Sequence, residues 1–238
     1  MFGFGTEELL NGIALFWLLL CWGGYTLFAK RMAKRTHSLS SLLHEYRIDW
    51  MRGMLARDVR VGDASLFANL ERSVNFFAST TMLILAGILT VLTKTGDGFT
   101  LFEHLPFTVS DSLMALQMKL LVLVSIFVYA FFTFTWSMRQ YGFCNILVGS
   151  APLHDDESVS AEARENYAFH LARVSDQAAH SYNYGLRSYY FAMAVISWFA
   201  SAWLFIAAVT FVVIVLYRRE FLSKPLQSMQ MIRETQSI

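Results

Sequence analysis

The chain has 238 residues, of which 55% are hydrophobic and 16% are charged, and its formal net charge at pH 7 is +1. Soluble domains carry close to a quarter charged residues, so this composition excludes an ordinary soluble protein and indicates an integral membrane protein. Two cysteines, Cys21 and Cys144, do not suggest a disulfide framework, and no Cys/His spacing indicates a metal site, so no cofactor is expected.

The first hydrophobic run covers residues 9–29 and is long enough to cross the hydrocarbon of a bilayer. Glu7 and Glu8 precede this run, whereas Lys30 and Arg31 follow it immediately. Cationic residues favour the inner side of a membrane. The pattern therefore predicts an uncleaved anchor whose N-terminus lies outside.

The polar segment after this run, residues 30–72, holds nine of the 19 Lys and Arg residues. Ser38 or Ser40 can cap a helix in which apolar residues then recur at steps of three and four. Such a helix packs against other protein or lies in the membrane interface. Its candidate partner residues are Trp50, Arg52 and Arg57.

Gly62 and Asp63 are predicted to end that helix, and a second helix is expected to begin near Ala64 and enter the bilayer. Residues 38–73 are therefore predicted to form cytoplasmic helices. The second span, residues 74–93, contains no ionisable side chain.

The third predicted span covers residues 119–138. The loop before it, residues 94–118, is poor in positive charge and is expected outside. Both central spans carry hydroxyl side chains that are candidates for lining a pore or for packing between helices. These residues are Ser79, Thr80, Thr81, Thr133 and Thr135.

A long helical pattern starts at Val159, and only Gly185 interrupts it before Pro225. Read as one helix to about Glu220, it predicts a cytoplasmic half over residues 159–187 and a fourth span over residues 188–217. The cytoplasmic half carries a line of small residues that permits close approach of a neighbouring helix, from this chain or a second subunit. They are Ala168, Ala172, Ser175 and Ala179.

The distribution of Lys and Arg residues between the loops predicts the orientation of the four spans in the membrane. With the N-terminus outside, thirteen Lys and Arg residues lie inside and five lie outside, so both termini are predicted outside. Arg218 and Arg219, just after the fourth span, argue against this orientation.

Chemistry-bearing patterns are sparse. Lys119 lies at the boundary of the third span, and no other ionisable residue lies within the four spans. This absence disfavours an ion-coupled transporter but does not exclude a passive pore. The alternative for the hydroxyls is that each bonds its own helix backbone or a neighbour. Catalytic motifs are missing, so no enzyme is expected. His44 and His180 are the two histidines that could meet between helices.

Three arginines, Arg72, Arg139 and Arg187, each stand at the inner entrance of a predicted span. Their ordinary role is to anchor the helices at lipid headgroups. The functional alternative is a ring that binds anions or headgroups at the inner mouth of the assembly.

Five segments together resemble one membrane protein family of bacteria and plants, domain of unknown function 599. The segments are residues 50–57 (WMRGMLAR), 75–81 (NFFASTT), 134–141 (FTWSMRQY), 183–190 (NYGLRSYY) and 216–221 (LYRREF). The resemblance implies a multi-helix membrane protein without an assigned activity and favours a bacterial inner membrane. It supplies no catalytic residues.

The sequence therefore predicts an all-α, polytopic membrane protein, a single membrane domain with four transmembrane helices and long cytoplasmic helical extensions. Its expected role is a self-associating passive channel, and the alternative is a non-enzymatic scaffold for a cytoplasmic protein partner. Lipid is an expected partner and nucleic acid is not.

Overall fold

The computed structural model describes residues 6–32, 38–93 and 113–236, and these residues form helices and no strands. The loop predicted outside therefore lies mostly beyond the described residues. The helices are α1 (Thr6–Met32), α2 (Leu39–Leu55), α3 (Val61–Thr93), α4 (Leu113–Gly149), α5 (Ala161–Trp198), α6 (Ala202–Phe221) and α7 (Lys224–Gln236).

Four stretches of the described chain are long and apolar enough to cross a membrane, which confirms the all-α prediction and the number of apolar helices. They are Thr6–Ala29, Val61–Thr93, Met114–Gly149 and Ala202–Thr235. The helices divide between two compact units. Unit 1 comprises Met1–Ser38, Leu83–Tyr129 and Arg187–Ile238, and unit 2 comprises Leu39–Met82 and Ala130–Leu186.

Within unit 1, α1 and α6 pack against each other and run in the same direction. The Trp17 indole donates to the Thr210 hydroxyl at 3.1 Å. Eleven residues further along each helix, Phe28 meets Phe221 with ring centroids 6.2 Å apart. Because the offset between the paired residues stays constant, the C-terminal ends of α1 and α6 lie together.

The last part of α5 runs antiparallel to α1 through the core of unit 1. Trp198 donates from its indole to Asn11 at 2.7 Å, and Phe191 stacks on Trp22 with centroids 5.4 Å apart. Phe191, Val195 and Trp198 are buried. This segment of α5 is therefore shielded by neighbouring helices.

The expected single helix from residue 159 to about residue 220 is wrong, because the chain turns between Trp198 and Ala202. The Lys119 ammonium, itself buried, donates to the carbonyl oxygen of Trp198 at 3.0 Å. Ser201 caps α6 by accepting from the backbone N–H of Trp203. The predicted fourth span, residues 188–217, is thus a hairpin of two helices and not one crossing.

Unit 2 packs around Phe134, which is fully buried. Its ring stacks on Phe77 with centroids 5.6 Å apart and lies 5.8 Å from the Tyr182 ring. A Cβ placed on Gly185 would come within 2.4 Å of the Phe134 ring. The glycine that interrupts the long helical pattern therefore provides the space that this aromatic ring fills.

The helix break predicted at Gly62 and Asp63 occurs earlier, between Leu55 and Val61. Asp63 instead lies in the first turn of α3. An acidic residue is favourable there because the helix dipole is positive at its N-terminus.

Candidate functional site: the charged interface of α2 and α5

Asp176 is the centre of a charged cluster between α2 and α5 in unit 2. Its side chain is buried, and the two carboxylate oxygens contact different residues of α2. Arg47 donates to Oδ1 at 2.6 Å, and Nδ1 of His44 contacts Oδ2. His44 and Arg47 are three residues apart on one face of α2, so both reach the same carboxylate.

Two further polar contacts extend the interface in both directions. Ser40 Oγ lies 3.3 Å from Nε2 of His180, and the other ring nitrogen of His180 lies 2.7 Å from the backbone oxygen of Asp176. Towards the far end of α2, Arg52 Nε donates to both carboxylate oxygens of Glu165, at 3.0 and 2.9 Å. The order of the contacts shows that α2 and α5 run antiparallel.

The exposed Arg52–Glu165 pair shifts the pKa values of both of its side chains. The hydrogen bond from Arg52 lowers the pKa of Glu165, and the same bond raises the pKa of Arg52. Because each side chain is half-exposed, solvent screens the pair and its contribution to stability is modest.

A second buried carboxylate, Asp63, fixes the corner between α2 and α3. Its Oδ1 accepts from the Trp50 indole at 2.7 Å and from Arg57 at 2.6 Å. The Trp50 ring also stacks on Phe67, with centroids 4.8 Å apart. Two of the predicted partner residues, Trp50 and Arg57, therefore bind within the chain.

Arg60 joins the two loops at the end of unit 2. Its guanidinium donates to the carbonyl oxygens of Ala151 and Pro152, at 2.9 and 2.5 Å, and more weakly to that of Leu55. The loop between α2 and α3 is thereby tied to the loop between α4 and α5. Arg60 Nε is buried without a hydrogen-bond partner among the described residues.

Four large apolar side chains on or next to the loops that Arg60 joins are exposed, and we call these four residues the apolar rim. Val59 and Val61 flank Arg60 in sequence, Leu153 follows its acceptor Pro152, and Ile146 lies in the last turn of α4. All four are between 64% and 70% exposed. Exposed apolar patches of this kind mark interaction sites in proteins.

The line of small residues on α5 is covered within the chain. Ala168 and Ala172 are fully buried, and Ala179 is 9% exposed. Helix α2 contacts α5 along the same stretch, so a neighbouring helix of this chain lies there, which is one of the two expected sources. A separate protein therefore cannot reach these alanines while α2 and α5 remain packed.

The candidate pore hydroxyls largely bond to their own helices. Thr80 and Thr81 donate to the carbonyl oxygens of Phe76 and Phe77, and Thr133 and Thr135 bond in the same way within α4. Ser79 is exposed on α3. Local backbone bonding of this kind is the ordinary role of hydroxyls in membrane helices.

Each of the three candidate anion-binding arginines has a different local environment. Arg72 donates to Asn69 on its own helix at 3.0 Å, and Arg139 is exposed. Arg187 lies over the Tyr25 ring at 5.3 Å in unit 1.

Sequence reasoning missed Asp176 and the clamp made by Arg60. A signal for Asp176 existed, because it lies beside Ser175 and one turn before Ala179 on the small-residue side of α5. Arg60 lies in a loop without a motif, so no spacing could have indicated its acceptors. Within the described stretches, no cluster of three or more His, Cys, Asp or Glu residues is arranged to hold a metal ion.

Comparison with known proteins adds the family. The family described as "Protein of unknown function, DUF599" matches residues 13–225. No curated protein and no solved structure matches the chain. The family match covers α1 through α6 and the start of α7, and therefore takes in both units. The chain thus belongs to the DUF599 family.

Proposed function

We propose that the protein is a membrane scaffold whose unit 2 offers a protein-binding surface in water, next to the inner face of the membrane. Helices α3 and α5 have 33 and 38 residues, which corresponds to about 50 and 57 Å. The hydrocarbon of a bilayer is about 30 Å thick, so these helices are longer than a crossing requires. In α3 the charged residues all lie in the first twelve positions, between Val61 and Arg72, and on this proposal that end extends beyond the hydrocarbon.

The apolar rim is the observation that carries this proposal. Val59, Val61, Ile146 and Leu153 expose large apolar side chains on or next to the two loops that Arg60 ties together. In water such a patch is unfavourable unless a partner covers it. A protein partner with an apolar surface matches this chemistry.

The ionic contacts of unit 2 hold the residues of the apolar rim in fixed positions. Asp63 and Asp176 connect α2 to α3 and α5, and Arg60 connects the two loops that carry the rim. A surface that is rigid before binding loses less conformational entropy when a partner docks. The network therefore favours a binding role for unit 2.

A passive channel receives less support from the geometry. The candidate hydroxyls Thr80, Thr81, Thr133 and Thr135 already donate to carbonyl oxygens of their own helices. Their presence on α3 and α4 therefore needs no pore to explain it.

The orientation that we propose places the N-terminus outside and the C-terminus inside a bacterial inner membrane. The parallel packing of α1 and α6 puts the ends Met32 and Phe221 on the same side of unit 1. Helix α5, which has 38 residues and whose last part runs antiparallel to α1, supplies the return crossing in this proposal and raises the number of crossings to five. Seventeen of the 19 Lys and Arg residues then lie inside, where cationic residues are favoured.

Site-specific photo-crosslinking in intact cells tests the scaffold. A photoreactive residue at Val61 or Ile146 should give adducts with a second polypeptide. The same probe at Phe16 or Phe211, which are exposed on the apolar helices α1 and α6, should give lipid adducts only. The proposal fails if Val61 and Ile146 also yield lipid alone, or only copies of this chain. Ion flux above the leak level from purified protein in liposomes would favour the channel instead.

A further inference from the structure

One end of unit 1 collects aromatic rings where α1 and α6 both finish. Phe28 of α1 lies 6.2 Å from the rings of Tyr217 and Phe221 of α6. Tyr25 is one turn earlier on α1 and is buried. Tyrosines at one level of a helical bundle are typical of the depth of lipid headgroups.

Two arginines are held against the tyrosines at this end. The Arg187 guanidinium lies 5.3 Å from the centroid of the Tyr25 ring, and that of Arg219 lies 5.5 Å from the Tyr190 ring. Arg219 also donates to the Tyr190 hydroxyl. Stacking orients each planar guanidinium, and one hydrogen bond to Tyr190 uses only one of the five N–H donors of Arg219.

Three more cations belong to the same end of the parallel pair. Arg31 lies in the last turn of α1, Arg218 in the last turn of α6, and Lys224 at the start of α7. All three side chains are exposed. We call Arg31, Arg187, Arg218, Arg219 and Lys224 the cationic collar. Glu220 is the acidic residue in this region, so the local charge is strongly positive.

The opposite end of unit 1 exposes acidic side chains. Glu7 and Glu8 are exposed in the first turn of α1. The cation at this end, Lys119, is buried and donates to the Trp198 carbonyl oxygen, so it does not present its charge to the surface. The exposed positive charge of the described part of unit 1 is therefore concentrated at one end.

We infer that the cationic collar binds the phosphate groups of anionic phospholipids. A guanidinium matches a phosphate through two parallel hydrogen bonds, and Arg218 and Arg219 offer two such groups side by side. The tyrosines place them at headgroup depth, where each cation contributes to attraction by an anionic leaflet. This inference is independent of the scaffold proposal, because it requires lipid and no protein partner.

Lipid retention by the purified full chain tests the inference. Native mass spectrometry would count the phosphatidylglycerol and phosphatidylcholine molecules that stay bound, using lipids with matched acyl chains. We expect phosphatidylglycerol to be preferred, and the preference to fall roughly fivefold for each arginine lost in Arg218→Gln and Arg219→Gln. The preference should also weaken as ionic strength rises.

Arg173→Gln is the matched control, because Arg173 of unit 2 also stacks on a ring, that of Phe169, and should leave lipid retention unchanged. If the variant that combines Arg218→Gln with Arg219→Gln does not fold, Arg218→Gln alone still tests the inference. The Arg218 side chain is exposed and makes no hydrogen bond among the described residues. Equal retention of the two lipids, or unchanged retention by Arg218→Gln, would overturn the inference. Displacement of phosphatidylglycerol by free inorganic phosphate would overturn it too, and would indicate a site for soluble anions.

Discussion

At the scale of single residues, the buried carboxylates Asp63 and Asp176 organise unit 2. Each accepts hydrogen bonds from two side chains, and in both cases one of the donors is an arginine of the basic segment. Arg47 and Arg57 therefore pair with carboxylates inside the protein, so their role is not limited to orienting the membrane spans. A buried charge that loses its partner is strongly unfavourable, whereas an exposed pair contributes little.

Asp176→Asn should lower the free energy of unfolding by about 3 kcal/mol, because it leaves the Arg47 guanidinium half-buried without its counter-charge. Chemical denaturation in detergent micelles, followed by circular dichroism, measures this loss. Glu165→Gln removes an exposed carboxylate from the same interface and should cost clearly less. Equal losses for the two variants would show that burial of Asp176 is unimportant.

The stability difference between the wild type and Glu165→Gln should depend on pH. Since Arg52 lowers the pKa of Glu165 in the folded protein, pairing stabilises the fold above the pKa of an unfolded glutamate, about 4.3. The contribution is lost as the pH falls through the lower folded value. Denaturation at neutral and acidic pH checks this, and a difference that grows on acidification would contradict it.

Single residues were only partly predictable. The sequence predicted close approach of a neighbouring helix to the small residues between Ala168 and Ala179, and α2 of the same chain contacts α5 there. It did not indicate Asp176, because a lone acid on a polar helix resembles a solvated one. Asp63 was interpreted as a helix breaker, since its partners Trp50 and Arg57 are defined only by the folded corner.

At the scale of elements, α5 contributes to both compact units. Its first part is polar and carries the line of small residues, and its last part carries Phe191, Val195 and Trp198 into the core of unit 1. Gly185 lies where the two parts meet, and the Phe134 ring occupies the space that a side chain would need. Close packing therefore explains a residue that helix propensity alone would disfavour.

Gly185→Ala should destabilise the protein even though alanine is the better helix former. The new Cβ would lie within 2.4 to 2.7 Å of three atoms of the Phe134 ring, which is held between Phe77 and Tyr182. Overpacking of this kind typically costs about 1–3 kcal/mol. Thermal unfolding in detergent gives the measurement.

Gly142→Ala is the control, because a Cβ at Gly142 of α4 meets nothing within 4 Å. It should be neutral or stabilise the helix by up to about 1 kcal/mol. Combining Gly185→Ala with Phe134→Leu should recover part of the lost stability. If Gly185→Ala behaves like Gly142→Ala, the packing argument is wrong.

Apolar helices were predictable as elements, but the turn between α5 and α6 was not. Residues 199–201 (FAS) contain neither glycine nor proline, and apolar sequence continues on both sides. The turn depends on tertiary contacts, because Lys119 of α4 caps the Trp198 carbonyl oxygen and Ser201 caps α6. A reading by hydropathy alone therefore merges two antiparallel helices into one span.

At the scale of the whole molecule, charge and helix direction both agree with the proposed orientation. Glu7 and Glu8 mark one end of α1, and the cationic collar marks the other. Arg218 and Arg219 argue against a single crossing by residues 188–217, because that crossing would place both arginines outside. A hairpin in that stretch removes the conflict, because both arginines then share the side of Arg31.

Reporter fusions test this orientation. A fusion after Ser237 should report the cytoplasm, since α6 runs parallel to α1, and a fusion within residues 96–98 should report the outer side. Alkaline phosphatase, which is active only outside, and green fluorescent protein, which is fluorescent only inside, give complementary readings. Phosphatase activity at Ser237 would contradict five crossings and restore the expectation that both termini lie outside.

The turn capped by Lys119 and Ser201 also bears on how the chain is built into the membrane. The last part of α5, with Arg187, Ser188 and two tyrosines, is not one of the four stretches of the described chain that are long and apolar enough to cross a membrane. It needs α6 beside it, and the ammonium of Lys119 from a helix synthesised earlier. On the proposed topology α5 and α6 therefore insert together, after synthesis has passed Phe221. A chain that stops at residue 200 would complete α5 and still leave it outside the bilayer.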